Sequence, residues 1–377
     1  MASSPRVDPV RSRSDARAFV SLPYELYRGD PRWVAPLRRS ERDRWRGSRN
    51  PSLQGRRVER FLARRSGRVV GRVAAVVDAA FSERWEPGAG FFGFLEFDGR
   101  AETARALLEA TQERLSAWGC RTVLGPVALT THDEVGLLVE GFDRRPSLLQ
   151  PYNPPSYPRA LADAGFKGFR EYGAWEWTPR SRPSPAVLRL ERMAARALGA
   201  SADVRLRTMD DARFEEEIQL LHALYNRTFA DTWGFVPMSR AEFRARGLEF
   251  RAFYRPELVL FAEAGGGPVA FALVLPDVNE ALSGLDGRLF PLGWLRLVRR
   301  ARRLSAGRFI LMGVDHAYRG RGLAPLLALR MRESVLAAGL ERLDVSLVQL
   351  DNARMVRVVE ALGCRPTRRY RLYRKPV

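Results

Sequence analysis

Gly320 and Gly322 stand between a short apolar run, Arg308 to Met312, and a stretch from Leu323 to Ala338 whose apolar residues recur at helical spacing. A strand, a Gly turn and a helix start leave several amides without partners where the helix dipole is positive. The stretch from Gly313 to Leu327 therefore reads as an anion-binding turn. It lacks the Lys-Ser/Thr ending of a nucleoside-triphosphate loop and is too short for a dinucleotide fingerprint. A second group able to do chemistry is His132-Asp133-Glu134, inside a long Gly- and Pro-bearing stretch from Gly125 to Pro155. These side chains can bind an amine or take its proton, and either acid also fits as a plain helix cap.

Within the turn, Arg319-x-x-Gly322-x-Ala324 resembles the pyrophosphate-binding signature of the GNAT superfamily of acyl-CoA-dependent N-acyltransferases. Val314 before it, Tyr318 beside the Arg and the Leu326-Leu327 pair extend the resemblance. Further on, Asp351-Asn352 opens a helical pattern ending at Leu362-Gly363-Cys364, followed by Tyr370 and Tyr373 in a last strand. The segments 29–37, 90–94, 136–143 and 350–355 are similar to those of tandem GNAT-like bacterial proteins, some of them similar to bacterial ceramide synthases.

The resemblance implies direct attack of an amine on the thioester of acetyl-CoA or a longer acyl-CoA, with no metal. The amides of Gly313 and Val314 would hold the pantetheine, and those of Arg319, Gly320, Arg321, Gly322, Leu323 and Ala324 the pyrophosphate. The Arg319 and Arg321 side chains would add charge, and Asn352 would touch the CoA arm. Asp315 and His316 are the candidate bases nearest the thioester in sequence, with His132 or Glu134 as candidates from elsewhere. Tyr370 or Tyr373 would give the leaving thiolate its proton, and either reads equally as core.

The elements that must position these residues occur twice. Hairpins across Ser66-Gly67 and across the glycines at 265–267 are expected, each preceded by helical patterns and followed by a strand and a helix. Val70-Gly71 stands before Asp78 as Val269-Ala270 stands before Asp277, and Gly165-Phe166 stands where Gly363-Cys364 does. We expect an α/β (α+β mixed sheet) fold of two tandem GNAT-like domains. These are a degenerate domain over 1–177, a linker and connecting helix over 178–200, and a domain with the acyl-CoA site over 201–377, carrying an insertion at 278–307. The first copy's turn, Asp98-Gly99-Arg100-Ala101-Glu102, has two carboxylates that would repel a pyrophosphate, so one CoA site is expected.

Three histidines and two distant cysteines, Cys120 and Cys364, make no zinc or disulfide pattern and fit buried thiols in a reducing compartment. The net charge is +20, and all but Lys167 and Lys375 of the basic residues are Arg. Such an excess attracts polyanions, but no nucleic-acid-binding motif is present and nucleic acid is not expected as a partner. Within the insertion, 288–304 holds six Arg and no acid. As a helix it is either a cover packed on the domain or a basic amphipathic element meeting an anionic membrane surface. No run of apolar residues is long enough to span a bilayer, and no signal core opens the chain, so a cytoplasmic protein is expected, with a peripheral place at the inner membrane face left open. Three classes follow: a soluble acetyl-CoA-dependent N-acetyltransferase, a peripheral long-chain N-acyltransferase of ceramide-synthase type acting on a sphingoid or other lipid amine, and a non-enzymatic CoA-binding scaffold.

Overall fold

In the computed structural model, residues 4–199 and 204–377 are described. The start of the expected strand at Asp203 and the boundary at 200/201 lie outside them. Thirteen strands form one sheet: β1 (Arg6–Pro9), β2 (Arg56–Arg65), β3 (Arg68–Asp78), β4 (Ala89–Phe97), β5 (Thr122–Gly125), β6 (Leu137–Glu140), β7 (Lys167–Trp177), β8 (Arg205–Thr208), β9 (Val259–Ala264), β10 (Gly267–Pro276), β11 (Ala306–Val314), β12 (Arg342–Gln349) and β13 (Arg365–Pro376). Their order is β1-β2-β3-β4-β5-β13-β7-β12-β11-β10-β9-β8, with β6 paired to β13 off this path.

The two expected hairpins form because their turn residues accept positive φ at both central positions. Ser66 and Gly67 lie at +49° and +78°, and Gly265 and Gly266 at +60° and +84°, the twist that suits a two-residue hairpin. The first long helix, Arg13–Leu26, is capped by Ser12, and Asp15 closes a capping box onto the Ser12 amide at 3.0 Å.

Every pairing along the sheet is antiparallel except β4 with β5 and β11 with β12. Both parallel ladders are short. The second runs from Ala306–Arg342 only to Phe309–Val345, while β11 continues to Val314 and β12 to Gln349. Beyond Phe309 the edge of β11 that faces β12 is open. The other edge is held by β10 as far as Ala270–Val314.

At the middle of the sheet the halves exchange strands. β7, which ends the first half, lies between β13 and β12, and β13, which ends the chain, lies between β5 and β7. Cores follow the exchange: Trp175 and Trp177 of β7 pack with Leu327, Met331 and Val335 of the second half, and Tyr373 of β13 packs with Phe92 and Leu107 of the first. Buried charges cross the same boundary. Arg56 donates to Asp78 and to Glu242, both at 2.8 Å, and Gln150 donates to Asp344 at 2.8 Å while accepting from Arg368 at 3.0 Å.

The insertion does not pack flat over the sheet. Its helix, Gly293–Ala301, leaves Leu292, Trp294, Leu295 and Val298 exposed, and Phe290 just before it is 88% exposed. The covering role is therefore corrected: within the helix only Gly293, Leu297 and Ala301 are half-buried, because one narrow side of a short helix is all that meets the protein.

Candidate acyl-donor site

The turn follows β11 directly. The Asp315 amide donates to the Val269 carbonyl at 2.8 Å, and the Asp315 carboxylate accepts from the Ala317 amide, which winds His316–Tyr318 into a single 3-10 turn. Gly320 and Gly322 then take φ of +77° and +85°, and Gly322 is the N-cap of helix Leu323–Ala337. Among the described residues the amides of Gly320, Arg321, Gly322, Leu323 and Ala324 have no hydrogen-bonding acceptor. Pro325, in the helix's first turn, has no amide to satisfy. Five free amides at the positive end of a helix form a cradle for an anion.

Gly322 is required twice. A Cβ there would stand 2.1 Å from the Met193 carbonyl oxygen as well as straining the backbone. Met193 belongs to helix Val187–Gly199, whose Ala194 and Ala197 are buried against the second half's core. This connecting helix and the turn enclose a pocket of about 690 Å³ lined by Arg189, Met193 and Arg196 on one side and by Tyr318 and Gly320–Leu323 on the other. A linker and connecting helix were expected over 178–200, but nothing in the sequence says that the helix faces the turn.

The Arg319 side chain reaches inward. Its Nη2 donates to the Thr228 carbonyl at 2.7 Å and its Nε to Val314 at 3.2 Å, so it braces the turn against the end of helix Phe214–Thr228. Arg321 lies over the Tyr318 ring, 4.9 Å from its centre. Gly313 fits beside the same helix end: a Cβ would meet Thr228 Oγ1 at 2.4 Å. Asp315 pairs with Arg227 at 2.5 Å, and half-exposed His316 pairs with Asp231 through Nε2. Arg227, Thr228 and Asp231 were not legible as site residues, because they are remote in sequence and carry no motif.

Asn352 caps helix Ala353–Ala361, accepting from the Met355 amide at 3.2 Å. Between that helix, helix Leu323–Ala337 and β11 lies a slot of about 30 Å³ whose lining includes Met312, Met331, Met355, Leu362 and Trp177. It is apolar, and its lining reaches Met312, next to Gly313.

The remaining candidates lie elsewhere. Tyr370 is fully buried, its hydroxyl without a partner among the described residues, and burial pushes its pKa up. It packs with Leu138 and Tyr172, while Tyr373, also raised by burial, packs in the first half's core, a different cluster from the one that holds Leu323. His132 bridges the halves: Nε2 donates to the Val236 carbonyl at 2.6 Å, and Nδ1 lies 2.8 Å from the Tyr225 hydroxyl, which donates to it when the ring is neutral. Burial holds its pKa below the usual value. Asp133 pairs with Arg246, and Glu134 pairs with Arg44 at 3.0 Å. The turn, Asp315 and His316 are thus brought together, and Tyr370, Tyr373, His132 and Glu134 are not. No group of residues that could hold a metal occurs among the described residues.

No protein-family model matches the chain. Two curated proteins are similar over nearly its whole length. Protein YghO of Escherichia coli (strain K12) is 31% identical over 374 residues, covering 97% of this chain and 94% of that protein. The bacterial ceramide synthase of Caulobacter vibrioides is 31% identical over 377 residues, covering 98% and 97%. Among solved structures, a tandem GNAT protein from the clavulanic acid biosynthesis pathway, determined without AcCoA, superposes with a TM-score of 0.56 at 15% identity, covering 99% of this chain and 98% of that one. A GCN5-related N-acetyltransferase from Sphaerobacter thermophilus gives 0.54 at 13% identity, covering 100% and 96%. The fold is that of tandem GNAT proteins.

Proposed function

The chain belongs to the family of the bacterial ceramide synthase of Caulobacter vibrioides and has the fold of tandem GNAT proteins, and from that premise we propose that it transfers an acyl group from a CoA thioester to an amine. The observation that carries this reading is the cradle of free amides from Gly320 to Ala324, facing a pocket whose other wall brings Arg189 and Arg196. Two linked phosphates fit such a cradle, and the arginines add long-range attraction. The second half, 201–377, holds this site, and the first, 1–177, is its degenerate counterpart.

The pantetheine arm then lies along the open edge of β11 and takes the Val314 amide that β12 leaves unpaired, which binds the arm and polarises the thioester carbonyl, whereas the Gly313 amide faces β10. Asn352 borders the arm from the neighbouring helix. The amine nitrogen attacks the carbonyl carbon, the carbon–sulfur bond breaks, and the thiolate leaves. On this reading His316, paired with Asp231, takes the ammonium proton, a role supported by the pairing of the alternative base, Asp315, with Arg227. Free thiol released from acetyl-, octanoyl- and palmitoyl-CoA in the presence of amine acceptors tests the reading. Amine-dependent release, reduced about a hundredfold in His316→Gln, is expected, and no release with any donor would overturn it.

A second, sharper reading is favoured by the ceramide synthase relative and by the apolar, methionine-lined slot beside Met312. On it the donor is a long-chain acyl-CoA and the acceptor a sphingoid or other lipid amine taken from an anionic membrane surface. Methionines fill and release apolar space readily, as a slot that opens for a chain requires. A preference for palmitoyl- over acetyl-CoA, lost in Met355→Trp, is the result that supports it.

A further inference from the structure

The described surface has ten exposed large hydrophobic residues, and five of them, Phe290, Leu292, Trp294, Leu295 and Val298, fall within nine positions of the insertion. The largest exposure is here, Phe290 at 88%, with Leu292 at 58% and Trp294 at 52% beside it. Single exposed apolar residues are ordinary, but a contiguous exposed band marks a surface that something covers.

The band is held out by construction. Leu285 before it and Leu304 after it are buried and anchor the two ends. At its root the Gly287 carbonyl accepts from the Arg38 amide at 3.1 Å, and a Cβ on Gly287 would stand 2.3 Å from the Pro36 carbonyl oxygen, so the insertion is clamped to the first half. Between the anchors, Leu289, Leu297 and Ala301 turn toward the protein, and Phe290, Leu292, Trp294, Leu295 and Val298 turn away.

Charge identifies what covers it. Arg288, Arg296, Arg299, Arg300, Arg302 and Arg303 surround the band, all exposed, and none makes an ion pair among the described residues. From Gly287 to Val314 the chain has no acidic residue. A protein partner's apolar patch would satisfy the leucines but leave six like charges unmatched, whereas a bilayer with anionic headgroups satisfies both at one depth.

We propose that 288–304 is a monotopic docking element: Phe290, Leu292, Trp294, Leu295 and Val298 enter the headgroup–acyl boundary of an anionic bilayer, and the arginines contact lipid phosphates. The proposal names the partner that the lipid-amine reading requires and rests on that reading for its purpose. Vesicle binding is measured without any acyl donor, so either can fail alone.

The test is co-sedimentation of the full chain with phosphatidylcholine vesicles and with vesicles of phosphatidylcholine mixed with phosphatidylglycerol. The chain should sediment with the mixed vesicles, less with the neutral ones, and release at about 0.5 M salt. A Phe290→Ser, Trp294→Ser, Leu295→Ser variant keeps every charge and, because these side chains are exposed, should keep the wild-type unfolding temperature, yet lose binding about tenfold or more. Arg296→Gln, Arg299→Gln, Arg303→Gln should erase the preference for the anionic vesicles, and Leu336→Ser, an exposed leucine elsewhere, should bind as wild type. Undiminished binding by the serine variant would overturn the proposal by assigning attraction to the overall charge. Failure of the wild type to bind mixed vesicles would overturn it, as would an oligomer that the serine variant converts to monomer with no change in vesicle binding.

Discussion

The two strand–turn–helix units that follow β4 and β11 have the same backbone logic and opposite chemistry. After β11, Gly320 and Gly322 present amides from which nothing among the described residues accepts. After β4, Gly99 again takes positive φ, at +79°, but the Asp98 carboxylate accepts from the Arg100 amide at 3.3 Å and pairs with Arg65 at 2.6 Å. The protein's own carboxylate thus stands where a bound anion would. The strands differ in the same sense. Gly313, two residues before Asp315, leaves room beside Thr228, whereas Glu96, two before Asp98, fills its place and accepts from Tyr27 at 2.6 Å and Tyr157 at 3.0 Å. Duplicating the fold duplicates the helix end, and the charge at its first residues decides whether it binds anything.

That comparison treats the halves as separable in chemistry but not in structure. The largest expected effect comes from cutting between them. Residues 1–177 alone lack β13, and 201–377 alone lack β7, so each would expose the edge and the core that the other half's strand covers. Neither fragment should show a cooperative unfolding transition by circular dichroism, while the two co-expressed should recover one. A fragment that folds by itself would show the strand exchange to be dispensable.

Next in size is Arg56→Met, which leaves Asp78 and Glu242 buried without their shared cation. A loss of about 3–5 kcal/mol is expected by denaturant unfolding. It sharpens the comparison by showing that the degenerate half is retained for support.

A smaller effect distinguishes the two strands by pH. Burial raises the Glu96 pKa from the ordinary carboxylate range to about 7, against the opposing pull of Arg72. A group whose pKa is higher folded than unfolded binds more protons in the folded state, so its stabilisation is complete below about 4.5 and is lost as pH rises through about 7. Stability from this group therefore falls across that window. Glu96→Gln should flatten the fall, being relatively more stable than wild type at pH 8 than at pH 4, by about 2–3 kcal/mol at most. An unchanged pH profile would mean that Glu96 titrates as an exposed carboxylate.

Much of this was legible in the sequence, for local reasons. The hairpin turns need positive φ, which Ser66-Gly67 and the glycines at 265–267 supply, and the anion turn needs glycines ahead of an apolar helix. Pairings set by topology were not. β7 and β13 read as ordinary closing strands because alternation says which residues share a face and nothing about which strand lies alongside. For the same reason the sequence left Tyr370 and Tyr373 open between proton donor and core, and they enter two cores. His132, Asp133 and Glu134 were left open between chemistry and, for the acids, helix capping, because their partners Tyr225, Arg246 and Arg44 lie 93, 113 and 90 residues away. The segment after Thr178 was read as linker and connecting helix, and only the approach of Met193 to Gly322 shows that it walls the site.

The most direct measurement is CoA binding by calorimetry to the wild type, Gly320→Asp and Gly320→Asn. Gly320 has open space where a side chain would go, and Asn and Asp are matched in size and tolerate its positive φ, so the pair differs in charge alone. Binding by the wild type and Gly320→Asn, weakened about tenfold or more in Gly320→Asp, is predicted, since the added carboxylate repeats what Asp98 does in the other half. Equal affinity in all three would contradict the account and place the phosphates away from this turn.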